Sequence, residues 1–190
     1  MHIELTDHLR CPREHAEAFL VLLPDRMEQR RVVAGHLGCP VCGWSTAWTD
    51  GTPDFGGGWR AQGEPPFDGG AAQAMLGVDG PGGWVALAGN AAALAGALAT
   101  LLPGVSVVAL NPPPEVTATA ATSVILSDAW PLKVHSMRGV ILGADAAAWR
   151  EAAMLTTLPG LRAIGCGEPP AGDNVQLLGN ADGVWVATHR

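Results

Sequence analysis

From Trp84 onward the hydrophobic positions come in short unbroken runs separated by turn residues. They are WVALAG (84–89), VSVVALN (105–111), SVILSD (123–128), GVILG (139–143) and LRAIGC (161–166), then VQLLGN (175–180) and GVWVATH (183–189). Runs of this length, rich in Val, Ile and Leu and not alternating with polar residues, are the pattern of strands buried on both faces of a sheet. Two stretches between them read as helices. AAALAGALATLL (91–102) follows the first run, and DAAAWREAAMLTTL (145–158) follows the fourth, with Asp145 at its start and Pro159 and Gly160 just beyond its end. Alternating strands and helices predict an α/β fold with a mostly parallel sheet and helices on its faces. The NADG turn (180–183) between the last two runs predicts a closing antiparallel hairpin. No internal repeat is present.

Before residue 72 the pattern changes. Residues 50–70, DGTPDFGGGWRAQGEPPFDGG, have no sustained period and read as a linker or an extended wrap. Ahead of them lies a segment with three of the four cysteines and four of the six histidines. The expected division is 1–55, a small metal-stabilised unit; 56–71, a Gly/Pro-rich linker; and 72–190, the α/β domain.

Of the 190 residues 48% are hydrophobic and only 15% charged, enough apolar material for a core and too little charge for a disordered chain. The net charge of −7 and the single lysine, Lys133, give no broad footprint for a phosphate backbone. Arg10, Arg13, Arg26, Arg30 and Arg31 are offset by seven carboxylates within the first 50 residues. A protein partner is therefore favoured over nucleic acid. No uninterrupted apolar run is long enough to span a bilayer, so no membrane association is expected, and the expected location is the cytoplasm.

The cysteines carry the clearest chemistry. CPREH supplies Cys11 and His15, and GCPVCG supplies Cys39 and Cys42 in a CxxC knuckle whose spacing lets two thiolates meet one ion. Cys11, His15, Cys39 and Cys42 make four soft donors, the set tetrahedral zinc takes, and leave no position for a catalytic water. His36, three residues before Cys39, is an alternative fourth ligand, and Asp50 a more distant one. A segment of about 50 residues has little core of its own, so a structural metal supplies the missing stability.

LRCPREH, followed by GHLGCPVCGWSTAWTDGTPDF (35–55), resembles the zinc ribbon of the small activator subunit of tRNA and protein methyltransferases, with DGTPDF standing where that family has DGIP. Here Cys11 and His15 replace the family's first cysteine pair. From residue 72 the strand pattern, with SVILSDAWPLKVHSMRGVILG (123–143) at its middle, is similar to a class I methyltransferase using S-adenosylmethionine. The resemblance implies a Rossmann-like sheet. It also implies a GxGxG loop after the first strand, where Gly89 takes the first glycine position, Ala91 and Ala93 the second and third, and Leu87 the place of an acid. Alanine methyl groups narrow such a loop and disfavour the positive φ angles that glycine adopts. Asn111 stands where the family's ribose-binding acid would be, with one acceptor oxygen instead of two. Two lost charge-assisted hydrogen bonds weaken binding by roughly a hundredfold or more.

The resemblance thus implies a degenerate cofactor loop and a non-catalytic, methyltransferase-like zinc protein acting as an interaction or scaffold subunit, with structural zinc and no S-adenosylmethionine. The alternative is an active S-adenosylmethionine-dependent methyltransferase acting on RNA or protein, with Gly89, Asn111 and Asp128 holding the cofactor. No catalytic residue is assigned. His135 beside Ser136 lacks a partner acid, and Cys166 reads as a core thiol. Trp44, Trp48 and Trp59 flank the ribbon and linker and read as core residues or as clamps onto the second domain or a partner.

Overall fold

The computed structural model describes residues 1–189. The long sheet contains β4 (Trp84–Ala88), β5 (Ser106–Leu110), β6 (Thr122–Ile125), β7 (Met137–Leu142), β8 (Thr157–Cys166), β9 (Val175–Ala181) and β10 (Val184–His189). They stand in the order β6-β5-β4-β7-β8-β10-β9, parallel from β6 to β8, with β10 antiparallel to both its neighbours. β4 and β6 are buried at every residue, which is why their sequences are continuous apolar runs and not alternating ones.

The helices are shorter than their sequence period suggests. After β4 comes a 3-10 turn over Gly89–Leu94 and then α2 (Ala95–Leu101). After β7 a 3-10 turn over Ala144–Trp149 leads into α3 (Arg150–Thr156). The expected helix over 145–158 therefore ends early, and Pro159 and Gly160 lie inside β8. Thr157, fully buried, pairs with Met137, and its hydroxyl donates to the Ala153 carbonyl, closing the helix. Between that pair and Gly139 with Arg162 the register shifts. Pro159 has no ladder N–H and Gly160 takes φ +79°, so the two residues fit an irregular stretch of strand.

One face of the sheet is covered by helices. α1 (Gly69–Leu76), which begins within the stretch expected to be linker, is capped by the Asp68 carboxylate accepting from Ala71 N–H and ends at Gly77, φ +60°. Ala72 and Leu76 of α1 and Leu98 of α2 pack with Val85, Leu87, Val107 and Ile141.

The opposite face has no α-helix over β5 and β6 among the described residues, because 111–121 and 126–136 connect strands without one, and the N-terminal segment with its 3-10 turn over Ile3–His8 lies there instead. Met1, Leu5, Leu9 and Phe55 from the N-terminal segment, with Leu132, join Ala88, Val108, Leu110 and Ile125 in one buried cluster there. Backbone pairing holds the cover down: Arg10 N–H donates to Pro131 and Lys133 N–H to His8, each 2.9 Å. Residues 53–56 then pair with the chain just past the C-terminal end of β6, where Asp54 bridges Leu126 in parallel and Phe55 N–H and Leu126 N–H donate to the Leu126 and Pro53 carbonyls.

The ribbon is a three-stranded antiparallel sheet, β1 (Val21–Glu28), β2 (Arg31–Gly38) and β3 (Ser45–Trp48). Its Val32, Leu37, Cys39 and Trp48 belong to the same buried cluster as the long sheet. Among the described residues no helix is long and apolar enough to cross a membrane.

Candidate functional site

Cys11, His15, Cys39 and Cys42 bring one donor atom each to within 4.8 Å of one another. Cys39 and Cys42 lie in the turn between β2 and β3. Cys39 N–H donates to Trp44 O at 2.7 Å, Gly43 N–H donates to Cys39 O at 3.0 Å, and Gly43 adopts φ +72°, which suits glycine. Cys11 and His15 arrive on the segment that follows the Arg10–Pro131 pairing, so the body of the protein presents half of the cluster to the ribbon.

Cys11 Sγ lies 3.6 Å from Cys42 Sγ, and His15 Nε2 lies 3.4 Å from Cys39 Sγ. The other ring nitrogen, Nδ1, is 2.7 Å from the Ala16 carbonyl. A proton on Nδ1 for that contact leaves the Nε2 lone pair facing the sulfurs, the tautomer a metal-binding histidine needs. Burial pushes the Cys39 thiol up, but the Cys42 and Val41 N–H groups, with the neighbouring thiols, outweigh it and bring it down to about 6. Burial carries Cys11 the other way, to about 11, against the N–H of Arg13. Three sulfurs and an imidazole nitrogen, partly buried and crowded together, suit a soft divalent ion. His36 is elsewhere: it stands on β2 with Nδ1 3.1 Å from the Asp25 carboxylate. Asp50 accepts from Thr52 N–H instead.

The second candidate lies at the C-terminal ends of β4, β5 and β6, where doubly wound sheets take their ligands. Gly89 has φ +66°, and a Cβ there would fall on the Asp145 carboxylate and press on Ala146. Asp145 Oδ1 accepts from Asn90 N–H at 2.9 Å, while the Asn90 side chain donates to the Glu64 carbonyl at 2.8 Å. Across the turn a Cβ at Gly143 would fall on Asn90 Oδ1, so the loops after β4 and β7 interlock through paired glycines.

Asn111 is fully buried at φ +48°, a conformation asparagine tolerates better than most residues. Its amide donates to Ser127 O at 2.6 Å and its oxygen accepts from Ser127 N–H at 2.8 Å. Both ends of the side chain are thereby engaged. Its backbone carbonyl accepts from Ala61 N–H of the wrap. Asp128, after β6, is exposed and lines a cavity of about 420 Å³ with Arg13, Phe55 and Gly57. Ala91 is buried, and Leu87 faces the helices α1 and α2.

Sequence reasoning did not identify Asp145, Glu64 or Ser127 as parts of this region. Their contacts join segments 16 to 55 residues apart and leave no local spacing to read. The other flagged groups are structural. Ser136 donates to the Lys133 carbonyl, and His135 packs on His189 at 5.6 Å, not against Ser136. Burial pushes the Cys166 thiol up. Trp48 is buried, Trp44 packs on Phe55, and Trp59 leans on Trp149, which in turn packs on Trp130.

No protein-family model matches the chain, and no curated protein matches it. Five chains of solved structures do. One belongs to a complex of the Haloferax volcanii Trm112 methyltransferase activator with a protein described as “the putative methyltransferase”, at 20% identity and a TM-score of 0.39. That alignment covers 50% of this chain and 50% of that one, so the match spans half of each.

Proposed function

We propose that this chain is a non-catalytic, methyltransferase-like zinc protein that acts as an interaction or scaffold subunit. Residues 1–55 carry its ribbon together with a cover for the long sheet, and α1, whose first residues fall in the 56–71 connecting segment, opens its α/β domain. Cys11, His15, Cys39 and Cys42 hold the zinc, whose contribution is structural, tying the ribbon to the segment that covers the sheet. Four protein donors leave that ion no open position for substrate.

The observation that carries the reading is what fills the strand ends. A dinucleotide-like or nucleoside cofactor in such a sheet needs free backbone N–H groups after the first strand and a free polar side chain after the second. Here Asn90 N–H is taken by Asp145, and both polar atoms of Asn111 are taken by Ser127. The alternative, an active S-adenosylmethionine-dependent methyltransferase, draws on Asp128, whose exposed carboxylate borders a 420 Å³ cavity.

Calorimetric titration of the zinc-loaded chain with S-adenosylmethionine and its demethylated product separates the two. The scaffold reading expects no heat of binding up to millimolar ligand. Micromolar binding that weakens in Asp128→Ala establishes the enzyme reading instead.

A further inference from the structure

The sheets of this protein end in edges that are treated differently. The β6 edge is met by His2, whose N–H donates to Ser123 Oγ, and just past Ile125 residues 53–56 pair with Leu126 and Asp128. The β1 edge carries Pro24, Asp25, Arg26 and Glu28 and a register irregularity, devices that discourage strand addition. Among the described residues no segment covers the β9 edge, whose sequence, Val-Gln-Leu-Leu-Gly-Asn-Ala, has no charge and no proline and is exposed at every position after Val175. Leu178 has no partner in the ladder between Leu177–Ala187 and Gly179–Val186, and both leucines are 46% exposed. Beside them, on the helix-bearing face, lies a groove of about 490 Å³ lined by Ala74, Met75, Arg162, Leu178, Gly179 and Val186.

Exposed carboxylates mark both ends of this strand, Asp173 before it and Asp182 after it. They argue against a second copy as occupant. A two-fold antiparallel pairing centred between Leu177 and Leu178 sets Asp173 of one chain opposite Asp182 of the other, and each chain carries a net charge of −7. Like charges placed opposite across a ladder are destabilising. A strand with basic residues at both ends meets the same two carboxylates favourably.

We infer that the free edge of β9 receives an extended strand of a partner protein, apolar in its middle and basic at both ends, by strand addition. Backbone hydrogen bonds to β9 supply most of the affinity, and the groove beside Leu178 takes an apolar side chain from the added strand. This rests on the reading of the chain as an interaction protein and names the surface and the chemistry of its partner.

The test uses the full zinc-loaded chain and fluorescence anisotropy of a labelled decapeptide of alternating valine and threonine with lysine at both ends. Its counterpart with glutamate at both ends is the control. The lysine peptide is expected to saturate, with the glutamate peptide about fivefold weaker or more. Asp173→Lys with Asp182→Lys reverses that preference, and Leu177→Lys with Leu178→Lys weakens both peptides about tenfold or more. If the leucine variant does not fold, the charge reversal alone decides. Absence of saturation at millimolar peptide, equal affinity for the two peptides, or full affinity in the folded leucine variant overturns the inference. So does a dimer, seen by sedimentation, that the leucine substitutions disperse. Failure of the peptides without cofactor binding leaves the interaction reading in place, whereas cofactor binding removes that reading without touching the β9 result.

Discussion

In the ribbon, Cys11, His15, Cys39 and Cys42 point their donors at one another, and the outer contact of His15 Nδ1 with Ala16 O leaves the inner nitrogen free. At the ends of β4 and β5 the polar groups are turned to the chain itself: Asn90 N–H to Asp145, and Asn111 to Ser127. The first arrangement gathers groups that have no good use for one another without a cation. The second engages Asn90 N–H and both polar atoms of Asn111 within the protein and leaves Asn90 Oδ1 buried without a partner among the described residues, so a ligand aimed at the engaged groups has to displace an existing hydrogen bond before it gains one. Two regions that both read as binding motifs therefore differ in what remains unsatisfied.

The largest effect expected is on the metal side. Cys39→Ser removes the metal, measured by elemental analysis of purified protein, and opens residues 11–48 to protease. His36→Ala retains it. Structural zinc contributes on the order of 10 kcal/mol in small ribbons, so this loss exceeds that of any single core residue. Retention of metal in Cys39→Ser, or its loss in His36→Ala, breaks the ligand assignment.

Next in size is the N-terminal cover. Leu5 and Leu9 are fully buried in the cluster that includes the long sheet. Leu5→Ala is expected to lower stability by about 2–5 kcal/mol and to shift one cooperative denaturant transition, not to melt the ribbon separately. A variant whose ribbon signal moves while the sheet signal stays would show the two regions to be independent.

Gly89→Ala sharpens the crevice side. Its cost combines the left-handed φ, about 1–2 kcal/mol, with collision against Asp145. In an Asp145→Ala background the collision term falls away, and the double-mutant cycle shows coupling of about 1 kcal/mol or more. No coupling would mean that Gly89 does not serve Asp145. Asn111→Asp places a carboxylate oxygen against the Ser127 carbonyl in a buried site, at a cost of about 1–3 kcal/mol, read by denaturant titration.

The smallest effect is on pH. His8, half-buried, has its pKa lowered from 6.5 chiefly by desolvation, and the opposing Asp7 charge is weaker. The unfolded chain then binds the proton more readily than the folded one, so stability present above pH 6.5 is lost as the pH falls below that value. His8→Gln should flatten the fall of Tm with acid, a change in slope measured against the unmodified chain.

The long sheet was legible because strands buried on both faces leave continuous apolar runs, as in β4 to β7. The ribbon strands were not, since β1 is exposed along most of its length and carries no alternating pattern. α1 was hidden by its own start, Gly69 and Gly70. Gly69 is needed because a Cβ there would crowd Ala97 of α2. The cysteine cluster was readable from spacing because its donors come in two local groups. The filled crevice was not, because Asp145 and Asn90 lie 55 residues apart and meet only when β7 takes its place beside β4.

The most direct measurement is proton–nitrogen correlation spectroscopy of the isotopically labelled, zinc-loaded chain during addition of S-adenosylmethionine. A crevice closed by Asp145 and Ser127 leaves the amide resonances of Asn90, Ala91, Asn111 and Asp128 unmoved up to millimolar ligand. Saturable shifts at those four amides at micromolar ligand would contradict it and favour the cofactor-binding alternative.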